Sequence, residues 1–156
     1  MTDLPETVLR EIAAHARSTY PAECCGVVVD GRDGRPKFVP IRNIAGTPEA
    51  LGTSRRGGRD GYVMDPKVLL ETLTSAEEQG GGLRVIVHSH PDVGAYFSKE
   101  DKDMALGGGT GPLWPGVEYL VVSCRGGTVD DAKLYSWDAA RADFQEWQVP
   151  ITSVFR

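Results

Sequence analysis

The feature that most constrains this chain is a run of branched apolar residues, Val85-Ile86-Val87, that ends in His88-Ser89-His90-Pro91. Such a run reads as a buried strand. In an extended chain, side chains two positions apart leave from the same face, so His88 and His90 can aim two imidazoles at one point. Ser98-Lys99-Glu100-Asp101 follows after a loop of six residues and opens what reads as a short helix over 98–106. That loop is long enough to fold Asp101 back onto the histidines. Two His and one Asp leave a fourth tetrahedral position for water, which is the pattern of a catalytic zinc site rather than a closed structural one. Imidazoles combined with a carboxylate also favour zinc among the divalent metals.

Around this core the pattern alternates between helix and strand. Leu4, Val8, Leu9, Ile12, Ala13 and Ala16 recur at helical spacing and predict an amphipathic helix from Pro5 to Ser18, closed by Pro21. Cys25 to Asp30 and Lys37 to Arg42, separated by Gly31-Arg32-Asp33-Gly34, read as a β-hairpin. A loop follows from Ile44 to Gly61, then a short strand over Tyr62 to Met64. Asp65-Pro66 supplies the N-cap and first position of a second helix, which runs to about Gln79 and stops at Gly80-Gly81-Gly82. The strand from Leu83 to His88 delivers the histidines. Beyond the third helix and a Gly/Pro-rich loop, Val117 to Cys124, Ala132 to Trp137 and Phe144 to Val149 read as strands, the last two forming an antiparallel edge. The expected fold class is α/β or α+β in one domain spanning 1–156.

Several of these residues also have ordinary structural uses. An isolated histidine is more often hydrogen-bonded in a core or loop than bound to a metal. Ser98-x-x-Asp101 is also a capping box, and Glu100 or Asp103 would serve the helix dipole equally well. Glu23 would by default be a surface carboxylate, yet it directly precedes an apolar strand, where the chain enters the core. A carboxylate placed there can act as a general base. Cys24 and Cys25 invite a cysteine-nucleophile reading, but cysteine commonly behaves as a small buried hydrophobe. A zinc deaminase would show His-x-Glu and a later Pro-Cys-x-x-Cys, and neither occurs here. The Gly-rich stretches lack the Gly-Lys-Ser/Thr of a phosphate loop.

Taken together, His88-x-His90, ten residues and then Asp101, Ser98 three before it, and Glu23 within Pro21-Ala22-Glu23-Cys24-Cys25-Gly26 resemble the JAMM (MPN-core) metallopeptidases. The likeness extends to Pro-x-Arg-Asn at Pro40 to Asn43, Tyr-x-Met-Asp-Pro at Tyr62 to Pro66, and the Tyr119 to Ser123 strand, and so covers roughly residues 4–137. The resemblance implies a cytidine-deaminase-like sandwich: a curved, mixed and mostly antiparallel sheet flanked by helices. It implies one Zn2+ per chain on His88, His90 and Asp101, Glu23 as general base, and Ser98 as the group that stabilises the oxyanion. The implied activity is hydrolysis of a peptide or isopeptide bond after the C-terminal Gly-Gly of a ubiquitin-like or sulfur-carrier protein, deubiquitinase-like or cysteine-releasing. Phage-tail or cell-wall peptidases and non-catalytic scaffold modules share the fold and stand as alternatives; the scaffolds typically lack the ligands.

Composition narrows the partners. A net charge of −5 argues against nucleic acid, which usually selects a basic footprint. No apolar run approaches the roughly 20 residues of a membrane span, and the first twenty residues lack a signal peptide's apolar stretch, so a cytoplasmic location is expected. Three cysteines without Cys-x-x-Cys spacing indicate neither a disulfide framework nor a cysteine-rich metal site. Arg55, Arg56 and Arg59 lie in an inserted Gly-rich loop, Leu51 to Gly61, which reads first as a mobile solvated connection; the arginines could instead meet an acidic protein surface, or the loop could form a substrate flap. Oligomeric state is open, a homodimer being the commonest closed assembly.

Overall fold

The structure is a computed structural model that describes residues 2–50 and 57–150. Its centre is one six-stranded sheet in the order β2-β1-β3-β4-β5-β6. The strands are β1 (Cys25–Asp30), β2 (Pro36–Ile41), β3 (Leu83–Pro91), β4 (Glu118–Arg125), β5 (Thr128–Asp138) and β6 (Asp143–Gln148). Only the β3–β4 pair is parallel; the others are antiparallel. The sheet is therefore mixed and mostly antiparallel, with helices α1 (Glu6–Thr19), α2 (Pro66–Glu78) and α3 (Lys99–Leu106) against it.

Alternation along the strands sorts the residues onto two faces. Val85 and Val87 of β3, with Leu120 and Val122 of β4, join Val8, Ile12, Ala13 and Ala16 of α1 in the largest apolar cluster. The opposite face carries two smaller clusters. One packs Val68, Leu69, Leu73 and Ala76 of α2 on Val27 and Val29 of β1. The other packs Ala105 and Leu106 of α3 on Tyr119 and Val121 of β4 with Phe97, Tyr135 and Phe144. Ile86 of β3 touches both. It lies between the two helices, and His88 and His90 follow it on the same face by the period of two.

Local chemistry fixes the element ends. Asp65 caps α2 by accepting a hydrogen bond from the Lys67 backbone N–H at 3.0 Å, with Pro66 in the first turn. Gly107 ends α3 in the left-handed conformation at φ 56°. Gly26 is needed for a different reason, close strand approach: a Cβ there would lie 2.6 Å from the Val39 carbonyl oxygen and 2.7 Å from the Phe38 ring.

Two expectations change. The segment Tyr62 to Met64 forms no strand, only a single bridge between Asn43 and Met64. The reason is that the Val63 N–H is taken by the Asn43 side chain, a side-chain bond that competes with ladder pairing. Strand β5 begins at Thr128, four residues earlier than expected, because the tight turn at Gly126-Gly127 lets it pair at once with β4. Residues 51–56 lie outside the described residues, and with them Arg55, Arg56 and most of the inserted loop.

Candidate metal centre and substrate groove

Strand register assembles the site. Cys25 of β1 lies opposite His88 of β3, and the Ser89 N–H donates to the Cys24 carbonyl. Continuing that register places Glu23 opposite His90. Its Oε1 stands 3.9 Å from His90 Nε2. Glu23, His88 and His90 are all buried and offer ligand atoms within 4.8 Å of one another, a group that can hold a metal ion.

Asp101 reaches the same point from the first turn of α3. Its Oδ1 lies 3.2 Å from His88 Nε2 and its Oδ2 lies 3.3 Å from His90 Nε2. The capping box is present in full: the Asp101 N–H donates to Ser98 Oγ and the Ser98 N–H donates to Asp101 Oδ2, each at 3.0 Å. Ser98 thus both starts the helix and orients the carboxylate. The structure therefore brings together the side chains of Glu23, His88, His90 and Asp101, with Ser98 bonded to the last of them and lining the same groove.

The donor set fits a cation. His90 Nδ1 lies 3.0 Å from the Gly94 carbonyl oxygen, which can only accept, so this nitrogen carries a proton and, in the neutral ring, Nε2 presents the lone pair. His88 Nε2 faces it at 3.1 Å. Two imidazole nitrogens and a carboxylate at such spacing need a proton or a metal between them. Burial lowers the pKa of His88 against the opposing pull of Asp101, which favours the neutral ring that metals bind. At His90 burial acts in the same direction, but bonds to Asp101 and Gly94 outweigh it and raise the pKa. Burial would also raise Asp101, yet the two imidazoles hold it far below the usual carboxylate range, so it is ionised.

Further residues, not singled out by sequence reasoning, support the cluster. Tyr62 stacks on His88 with ring centroids 4.6 Å apart. The loop 92–97 is pinned to the sheet: Ser123 Oγ donates to the Val93 carbonyl at 2.6 Å and Tyr135 OH donates to the Ala95 carbonyl at 2.7 Å. Asp92, at φ 61°, accepts from Tyr20 OH and the Gly126 N–H, each at 2.8 Å. These bonds hold the Gly94 carbonyl against His90. The positive φ of a non-glycine residue near a functional cluster was the kind of local strain that only coordinates reveal.

A groove of about 1110 Å3 runs past the cluster between α2 and α3, with Ile86 in its lining. Among the described residues, five of the seven exposed large apolar side chains, Val93, Tyr96, Met104, Leu113 and Trp114, lie along it. That concentration marks a binding surface rather than scattered exposure. Arg59 also lines it. The cysteines do not present a nucleophile: burial pushes Cys24 up to about 12 and raises Cys25 as well. His15 is half-buried with its ring 5.8 Å from Phe38. Among the described residues no helix is long and apolar enough to cross a membrane.

Comparison with known proteins agrees with this architecture. Residues 5–140 match the prokaryotic homologs of the JAB domain. The chain is similar to desampylase of Haloferax volcanii, 26% identical over 151 residues that cover 96% of this chain and 92% of that protein. It is also similar to the CysO-cysteine peptidase of Mycobacterium tuberculosis, 28% identical over 120 residues, 76% of this chain and 70% of the other. A JAB1/MPN domain protein from Archaeoglobus fulgidus shares the fold, with a TM-score of 0.52 at 16% identity over 94% of this chain and 97% of that one. The chain belongs to the prokaryotic JAB-domain family.

Proposed function

We propose that this protein is a zinc metallopeptidase that hydrolyses the peptide or isopeptide bond following the C-terminal Gly-Gly of a ubiquitin-like or sulfur-carrier protein. The observation that carries the reading is the buried cluster of two imidazoles and two carboxylates opening onto a long, largely apolar groove. The names of the two relatives, a desampylase and a CysO-cysteine peptidase, support the substrate class.

In this reading His88, His90 and Asp101 hold the zinc, since Asp101 stands closer to His90 Nε2 than Glu23 does. Bound there, zinc would lower the pKa of water from about 15.7 to about 7 and polarise the scissile carbonyl. Glu23 takes a proton from the attacking water and returns it to the leaving amine. Ser98 Oγ accepts from the Asp101 N–H, which leaves its own hydroxyl hydrogen available to a developing oxyanion. The groove receives the extended tail, and glycines suit it because no side chain obstructs backbone approach.

Ser98→Ala separates its two duties. Loss of one oxyanion donor is expected to slow turnover by about 100-fold or more. Loss of the cap alone would cost about 0.5–2 kcal/mol of stability. Steady-state rates and thermal melts on the same sample decide between them, and an unchanged rate in a less stable variant removes Ser98 from the chemistry.

The reading itself is tested with a ubiquitin-like protein whose terminal glycine is joined either to cysteine or to a lysine ε-amine. Zinc-loaded protein should release a free Gly-Gly terminus from at least one, seen as the corresponding mass loss, and chelation should stop it. Intact conjugates of both kinds after prolonged incubation would overturn the substrate class.

A further inference from the structure

We infer that Asn43 is a positioning residue that sets the working geometry of Glu23 and of the ring against His88; the inference rests on the peptidase reading above. Its side-chain amide spends its full hydrogen-bonding capacity on four backbone groups. Nδ2 donates to the carbonyls of Glu23 and Gly61, and Oδ1 accepts from the N–H groups of Ala45 and Val63, each at 3.0 Å. Two carbonyls at one end and two N–H groups at the other allow a single orientation of the amide.

The partners bracket the two side chains that matter. Gly61 and Val63 flank Tyr62, whose ring stacks on His88. The Glu23 carbonyl is held by Asn43, while its N–H donates to the Gly58 carbonyl. One residue on, the Cys24 N–H donates at 2.8 Å to Ser89 Oγ, the serine between the two histidines. Both peptide groups of Glu23 are thereby fixed, and with them the direction in which its side chain leaves toward His90. The hydrogen bonds of the Asn43 side chain go to neither histidine nor Asp101, so it acts on the base and the stacked ring rather than on the metal. A displacement of about 1 Å at a reacting group can cost on the order of 100-fold.

The test is a double-mutant cycle. Asn43→Asp has nearly the same shape but presents oxygen where the amide donated, so both donor bonds fail. It is expected to keep wild-type zinc stoichiometry and KM within about threefold while kcat falls by roughly 30- to 100-fold. In a Glu23→Gln background the same change should cost less than about threefold, because the group it positions is already disabled. Losses that multiply, zinc that departs with the activity, or an unchanged kcat would each overturn the inference. Asn43→Ser, which retains one donor, replaces Asn43→Asp if the latter does not fold. Amide exchange on the metal-free Asn43→Ala protein gives an independent readout: the Val63 N–H should lose protection, and unaltered protection would also overturn the assignment. Failure of the wild-type protein to cleave any Gly-Gly conjugate would instead count against the peptidase reading and leave the exchange result standing.

Discussion

Replacing His88 by alanine is expected to abolish both zinc binding and hydrolysis. His88 is fully buried, faces His90 Nε2 at 3.1 Å and lies 3.2 Å from Asp101 Oδ1. On the proposed ligand set, two protein ligands would remain without its ring, where a catalytic zinc site has three. Metal analysis of the purified variant should show less than about one tenth of the wild-type zinc, and turnover should fall to background. A variant that stays folded and hydrolyses substrate without zinc would overturn the metal mechanism. Acid should act on the same site. Ligands must be deprotonated, and His90 has its pKa raised, so zinc affinity begins to fall as pH drops toward and below the ordinary histidine value of about 6.5. His88, lowered by burial, adds its proton only at more acid pH. A zinc titration across pH 5–8 should steepen from one proton toward two, and a flat profile would exclude the histidines as ligands.

Much of this site is written in the sequence because its parts follow short-range rules. The period of two on β3 is enough to put His88 and His90 on the face of Ile86, and Ser98-x-x-Asp101 fixes the carboxylate through a capping box only three residues long. Glu23 is marked in the sequence by its place directly before an apolar strand and by the family resemblance, and the long-range register of β1 on β3 is what sets it opposite His90. The supporting network is not legible in this way. Asn43 lies 20 residues from both Glu23 and Val63, and nothing in its neighbourhood announces that its amide will join them. The Pro-x-Arg-Asn segment marked the position but not the role. The same limit explains the missing strand at Tyr62: its apolar pattern favours pairing, yet the Asn43 side chain takes the N–H that a ladder would use. Asp92 shows the third kind of hidden feature, a backbone conformation set by bonds to Tyr20 and Gly126 from elements distant in sequence.

Glu23→Gln should have the opposite profile from His88→Ala, leaving the metal and removing the chemistry. The substitution keeps the side chain's size but removes the carboxylate that accepts the proton, so hydrolysis should slow by about 100- to 10,000-fold. Zinc content and melting temperature should stay close to wild type, since His88, His90 and Asp101 are unchanged. The result discriminates between two arrangements that the geometry alone permits. Glu23 Oε1 lies 3.9 Å from His90 Nε2, against 3.3 Å for Asp101 Oδ2, and Glu23 shares with the histidines a cluster able to hold a cation. If Glu23 is the base, Asp101→Asn depletes zinc and Glu23→Gln does not. Were Glu23 the third ligand instead, the two variants would exchange behaviour, with zinc lost from Glu23→Gln and retained in Asp101→Asn. Metal content measured on both proteins, beside their single-turnover rates, therefore assigns each carboxylate to one role.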